Sequence, residues 1–228
     1  MIILLGLPKS GTSSFTELFK KTDYCNNVYH WKKNDKYIGE IINNNKINKK
    51  PLLSGFKNND CITQMDVCIS NELNFWPQIT DFKQIYYENP DSIFILNKRD
   101  PNKVLKSFKK WFDYQKRFFT YNSEFFESLN DDGFLKFIYK HYNDIESFFK
   151  TKPDAKFISF DIDYDNILEL KKFINTKDYK TLPKTNVSNT IQTKDANYKI
   201  LDEYREKYIK YKKKYNDLKA LLKSKKIS

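Results

Sequence analysis

Apolar positions along this chain follow two alternating rhythms, short unbroken runs and stripes at helical spacing. Ile2 to Leu5 is a run rich in β-branched residues, as expected of a strand buried on both faces, and the pattern predicts a strand over 2–6. A helix is predicted over 12–21, a short strand near 27–30 and a helix near 35–45. Residues 43–50, rich in Asn and Lys, read as a surface loop, and Pro51 to Phe56 as a third strand. Glu72 to Asn89 reads as largely helical, started or interrupted by Pro77.

The second half repeats one unit. A strand over 92–97 follows Pro90-Asp91, and Pro101 suits the first turn of a helix over 101–119. That helix carries Val104, Leu105, Phe108, Trp111 and Phe112 at i, i+3, i+4 spacing, which buries one face. A helix over 133–150 comes next, then Pro153-Asp154 before the apolar run of another strand ending near Asp161, with Asn166 to Ile174 helical. Strands alternating with helices predict an α/β fold, a parallel sheet covered on both faces, with ligands bound at the carboxyl ends of the strands.

The tail differs in character. From Tyr198 to Lys226 there is neither Gly nor Pro, and Leu201, Tyr204, Tyr208, Tyr211, Tyr215, Leu218 and Leu222 form a heptad stripe. It reads as a long C-terminal helix packed on its own domain; a coiled coil that forms a homodimer is the alternative. Two parts are therefore expected, an α/β domain over 1–195 and a Lys/Tyr-rich helix over 196–228.

Candidate chemistry concentrates at the end of the first strand. Gly6-Leu7-Pro8-Lys9-Ser10-Gly11-Thr12-Ser13-Ser14 places two glycines, a lysine and hydroxyls where strand passes into helix. A helix start offers unpaired N–H groups and the positive end of the helix dipole to an anion. It is not a Walker A motif, which sets Lys directly after the second glycine; Thr12 stands there and the lysine lies inside the loop. Farther on, Phe94-Ile95-Leu96-Asn97-Lys98-Arg99-Asp100 ends a strand in charge, and Ser107 follows Arg99 by eight positions on the next helix.

These two motifs closely resemble those of sulfotransferases, P-loop relatives of kinases that use 3′-phosphoadenosine 5′-phosphosulfate (PAPS). The resemblance spans about residues 1–190. It implies a P-loop NTPase-like sulfotransferase fold and transfer of a sulfuryl group to a hydroxyl or amine. It places Lys9, Ser10, Gly11, Thr12, Ser13 and Ser14 on the 5′-phosphosulfate, and Arg99 and Ser107 on the 3′-phosphate. Weaker matches follow in family order: Tyr29-His30-Trp31, an aspartate within Asp60 to Asp66, and Leu182-Pro183-Lys184-Thr185-Asn186. Lys9 would neutralise charge on the bridging oxygen. His30 is the first candidate for the base and Asp66 the second, as base or as the group orienting His30; both join Lys9 as expected catalytic residues. His141 reads as structural. Lysine and amides can do what Mg²⁺ does in kinases, so no metal is expected. The Gly-rich C-terminal cofactor segment of animal cytosolic members is absent from this sequence. Acceptor-lining positions are expected within 31–90 and 113–135.

Composition changes the picture little. The 228 residues carry a net charge of +12, which favours anionic ligands without naming one. An excess of Asn, Lys, Ile, Tyr and Phe weakens that charge as a nucleic-acid signal. Cys25, Cys61 and Cys68 lack C-x-x-C spacing, which argues against zinc and disulfides and for reduced thiols in the cytoplasm. No apolar run is long enough to span a membrane, and no signal peptide is legible. A P-loop small-molecule kinase, a basic nucleotide- or RNA-binding module, and a family member that binds nucleotide without turnover are the competing readings.

Overall fold

The computed structural model describes residues 1–21, 24–111, 113–174 and 181–183. In chain order they form β1 (Ile2–Leu4), α1 (Thr12–Lys20), β2 (Asn27–His30), β3 (Lys32–Lys33), β4 (Lys36–Tyr37) and α2 (Ile38–Ile47). Then come β5 (Asp60–Gln64), β6 (Val67–Cys68), β7 (Asn74–Phe75), α3 (Pro77–Thr80) and α4 (Phe82–Glu88). The remainder is β8 (Ile93–Lys98), α5 (Pro101–Lys109), α6 (Tyr114–Tyr121), α7 (Asp131–Lys150) and β9 (Lys156–Asp161), with short 3₁₀ turns at Ser123–Phe125 and Ile167–Lys172.

Five parallel strands in the order β2-β5-β1-β8-β9 make the body of the sheet, and β3 and β4 extend its β2 edge as an antiparallel hairpin. The period of two along β1 divides the core. Ile3 and Leu5 face a cluster that includes Ile42, Ile85, Val104, Phe108 and Ile138, from α2, α4, α5 and α7. Ile2 and Leu4 face the opposite cluster, with Phe15, Leu18 and Phe19 of α1 and Ile167 and Leu170 behind them. The sheet is thus covered on both faces, the α/β arrangement expected for β-strands alternating with helices. Much of the phenylalanine goes into one knot where α5, α6 and α7 meet. Phe118, fully buried, has the rings of Trp76, Phe108, Phe126, Phe134 and Phe137 around it.

Several expected elements are displaced. Pro51 to Phe56 is a turn segment, and the third parallel strand along the chain is β5, whose Asp60 and Thr63 are both buried. Asp60 can be buried because Asn27 Nδ2 and the Lys57 N–H donate to it, each at 2.8 Å. In place of the expected helix over 101–119 there are two, α5 ending at Lys109 and α6 starting at Tyr114, and the 72–89 helix contains β7 before α3 and α4. The hairpin β3–β4 turns through Asn34 and Asp35, both at positive φ (48° and 63°), as a tight hairpin requires.

The thiols also differ from expectation. Cys25 and Cys61 form a disulfide across 5.9 Å between Cα atoms, joining the segment before β2 to β5, and Cys68 is free and buried. The thiol-based argument for a cytoplasmic setting lapses with this pairing. No helix among the described residues is long and apolar enough to cross a membrane. The expected C-terminal helix, the domain boundary at 195/196 and the coiled-coil dimer all lie outside the described residues, as do Lys184, Thr185 and Asn186 of the closing motif.

Candidate active site

The loop from Gly6 to Gly11 links the carboxyl end of β1 to α1. It depends on two backbone positions of left-handed φ, Lys9 at 70° and Gly11 at 83°. Gly11 takes that conformation at little cost, whereas Lys9 holds a strained one, as residues at functional turns often do. Gly11 caps α1 without a side-chain hydrogen bond. The N–H groups of Gly11 and Thr12 have no acceptor among the described residues, while Ser14 and Phe15 donate to the Gly11 carbonyl at 2.9 and 3.1 Å. A helix start of this kind, with the dipole behind it, suits a phosphate or sulfate.

Residues from the sheet and from α7 fix the loop's shape. Asn97 at the end of β8 is fully buried; its Oδ1 accepts from Gly6 N–H at 3.0 Å and its Nδ2 donates to the Ser10 carbonyl at 2.9 Å. His141 donates through Nε2 to the Leu5 carbonyl at 2.9 Å, because a carbonyl can only accept. Burial lowers the His141 pKa to about 4, so the ring is neutral in that role. Tyr142, its neighbour on α7, accepts from Arg99 N–H and donates to the Arg99 carbonyl, both at 3.2 Å, and its hydroxyl lies 3.4 Å from Ser10 Oγ.

Arg99 therefore emerges from β8 with its backbone anchored. One terminal nitrogen donates to the Lys9 carbonyl at 3.1 Å, which ties the guanidinium to the loop, and its Nε is buried with no partner among the described residues. A buried donor left unpaired is costly, and an anion alongside would satisfy it. Asp100 caps α5 by accepting from the N–H groups of Asn102 and Lys103, at 2.8 and 3.3 Å. Ser107 lies half-buried on that helix.

On the other side of the loop, β2 and β5 contribute a polar chain. His30 Nδ1 lies 3.1 Å from Thr63 Oγ1, which is 2.7 Å from Thr16 Oγ1, and Thr16 donates to the Thr12 carbonyl at 2.9 Å. Burial first, then the positive charges of Lys20 and Lys9, lower the His30 pKa to about 4. Thr12 donates to Gln64 Oε1 at 3.1 Å, and Gln64 Nε2 donates to Asp66 at 3.2 Å. Asp66 is 1% exposed and also accepts from Gln78 Nε2 at 3.0 Å and Tyr114 OH at 3.2 Å. Burial raises its pKa to about 6 against the opposing pull of those hydrogen bonds.

The expected site residues thus gather at the carboxyl ends of β1, β2, β5 and β8 and along the helices that follow β1 and β8. One expected role is corrected. Asp66 makes no hydrogen bond to His30 among the described residues; Thr63 is the group beside the imidazole, and Asp66 turns away into the pair of glutamines and Tyr114. Asn97, Tyr142, Thr63 and Gln64 were not singled out from the sequence. Asn97 is the one with a local signal, since it lies in the charged strand end Asn97-Lys98-Arg99-Asp100.

No curated protein matches the chain. A family model for the sulfotransferase domain matches residues 1–158, more than half the chain, and covers the loop, His30, Asp66, Arg99 and Ser107. With that match the chain belongs to the sulfotransferase family, and the loop tied to Arg99 lies at the carboxyl ends of its five parallel strands.

Proposed function

We propose that the chain moves a sulfuryl group from PAPS to a hydroxyl or amine on a small-molecule or glycan acceptor. One observation carries this reading: among the described residues, the buried Nε of Arg99 has no partner, and it sits on a guanidinium tied to a loop whose Gly11 and Thr12 amides also lack acceptors. Donors spread over two adjoining places fit a nucleotide that is anionic at two positions better than one with a single phosphate chain. Ser10 to Ser14 would hold the 5′ group and Arg99 with Ser107 the 3′-phosphate, where a planar guanidinium can grip two oxygens. Bound there, the nucleotide supplies the sulfuryl group and leaves as 3′,5′-adenosine bisphosphate.

The protein's own share is orientation and charge. Lys9 brings a cation to the loop where negative charge develops on the departing oxygen. His30, neutral at pH 7, has a lone pair for the acceptor's proton, and Thr63 fixes the ring plane. Asp66 acts by positioning Gln64, which holds Thr12 at the start of α1.

The test is acceptor-dependent release of 3′,5′-adenosine bisphosphate from PAPS, over a panel of phenols, sugars and amines. Lys9→Ala should lower turnover about a hundredfold. Release of ADP from ATP with Mg²⁺, and none of the bisphosphate from PAPS, would replace this reading with a kinase.

A further inference from the structure

The side chain of Lys9 has a neighbour that the loop does not supply. Its ammonium lies over the indole of Trp111, 2.9 Å from the ring centroid. Trp111 follows α5, one turn beyond Ser107, and is 56% exposed, so burial does not account for its placement. Its backbone is pinned instead: its N–H donates to the Phe108 carbonyl at 3.0 Å and its carbonyl accepts from Tyr114 N–H at 2.8 Å. The ring stands edge-on to Tyr114 at 6.1 Å. Tyr114 is stacked on Phe108 at 4.9 Å and donates to Asp66, which holds Gln64 against Thr12. A continuous set of contacts leaves the loop at Lys9 and returns to it at Thr12.

A π face attracts a cation through its quadrupole but carries no net charge. A carboxylate in the same place would cancel the lysine's charge and repel an anion. We propose that Trp111 is a positioning residue for Lys9, a seat that keeps the ammonium at the mouth of the loop and yields it to the donor's phosphosulfate. The identity of that anion rests on the sulfuryl-transfer reading; the seat itself does not.

Tryptophan emission reads the seat directly in a Trp31→Phe background, where Trp76, buried, is the other indole. Lys9→Met should change the emission of the ligand-free protein, and should leave it unchanged once Trp111 is also replaced by Phe. Binding of 3′,5′-adenosine bisphosphate, followed independently by calorimetry, should change the emission with Trp111 present and not in Trp111→Phe. Trp111→Leu should raise the Kd for PAPS about fivefold, whereas Trp111→Phe, which keeps a π face, should stay within about twofold. Equal losses in the Leu and Phe variants, or an emission change that survives Trp111→Phe, would overturn the proposal. If the bisphosphate fails to bind at all, the donor assignment falls, while an emission response of the ligand-free protein to Lys9→Met still upholds the seat and its absence overturns it.

Discussion

Asn97 stands directly against Gly6: a Cβ on Gly6 would lie 2.2 Å from the Asn97 carbonyl oxygen and 2.5 Å from its Oδ1. The glycine is needed for that approach, and the approach lets one buried amide hold both ends of the loop, at Gly6 and at Ser10.

Gly6→Ala should therefore destabilise the fold by about 2–3 kcal/mol, since backbone cannot yield as a side-chain tip can. Asn97→Leu should cost about as much, because it strands a buried N–H and a buried carbonyl. Urea unfolding of the two variants measures both, and a loss below about 0.5 kcal/mol in either would contradict this view of the joint.

With His30 as the proposed base, its lowered pKa would set the pH dependence of the reaction. A base works when deprotonated, so kcat/KM should fall as pH drops through about 4 and stay flat above pH 6 on this group's account. An unperturbed imidazole would place that limb near pH 6.5. His30→Ala should remove the limb and lower kcat by about 10²–10³-fold. A limb near pH 4 that persists in the variant would assign it to another group.

Asp66 carries a stability signature of its own. Its folded pKa, about 6, lies above the ordinary 3.8, so the folded state holds that proton more tightly than the unfolded chain. The contribution is full below about pH 4 and is lost as pH rises through 6, by roughly 3 kcal/mol. His30 and His141, each lowered to about 4, act in the opposite sense and add stability as pH rises toward 6.5. Asp66→Asn removes the first effect and leaves the other two. Its unfolding free energy relative to the wild type should thus rise by about 2–2.5 kcal/mol between pH 4 and pH 7. Parallel curves for the two proteins would show that the buried carboxylate does not titrate as described.

The order of elements at the head of the chain was legible because its signals are local. An apolar run, two glycines and a hydroxyl-rich helix start announce β1, the loop and α1 without tertiary information. The same holds for Asp100-Pro101, where a capping carboxylate and an N1 proline mark the start of α5. Central strand β5 was not legible, because buried Asp60 and Thr63 look like solvent-facing residues until Asn27, Thr16 and His30 are brought beside them. The break between α5 and α6 has no Gly or Pro to announce it. It serves tertiary contacts: Tyr114 turns inward to Asp66, and Trp111 turns to Lys9. Tyr142 and Gln64 matter through partners 43 and 52 residues away in sequence, and no local pattern encodes such a pairing.

Thiol chemistry separates the observed pairing from the expected reduced state. Protein denatured without reductant should show one reactive thiol, Cys68, and three after reduction. Burial raises the Cys68 thiol to about 12, so it should stay unreactive until the fold opens. Closing a loop of 36 residues contributes about 3–4 kcal/mol in the chain-entropy account, and Cys25→Ser should lower unfolding free energy by up to that amount. Three reactive thiols in the unreduced, denatured protein would contradict the disulfide.

The most direct test of the account is thermal stabilisation by 3′,5′-adenosine bisphosphate, with adenosine 5′-phosphate and ATP–Mg²⁺ beside it. At a hundred times its dissociation constant the bisphosphate should add about 2.7 kcal/mol, a rise in Tm of roughly 5–10 °C for a chain of this size. Arg99→Ala should weaken that binding by about a hundredfold or more and leave adenosine 5′-phosphate unaffected. A shift specific to the bisphosphate and lost with Arg99 is the result the account predicts. Stabilisation by ATP–Mg²⁺ alone, or equal stabilisation by the nucleotides with and without the 3′-phosphate, would contradict it.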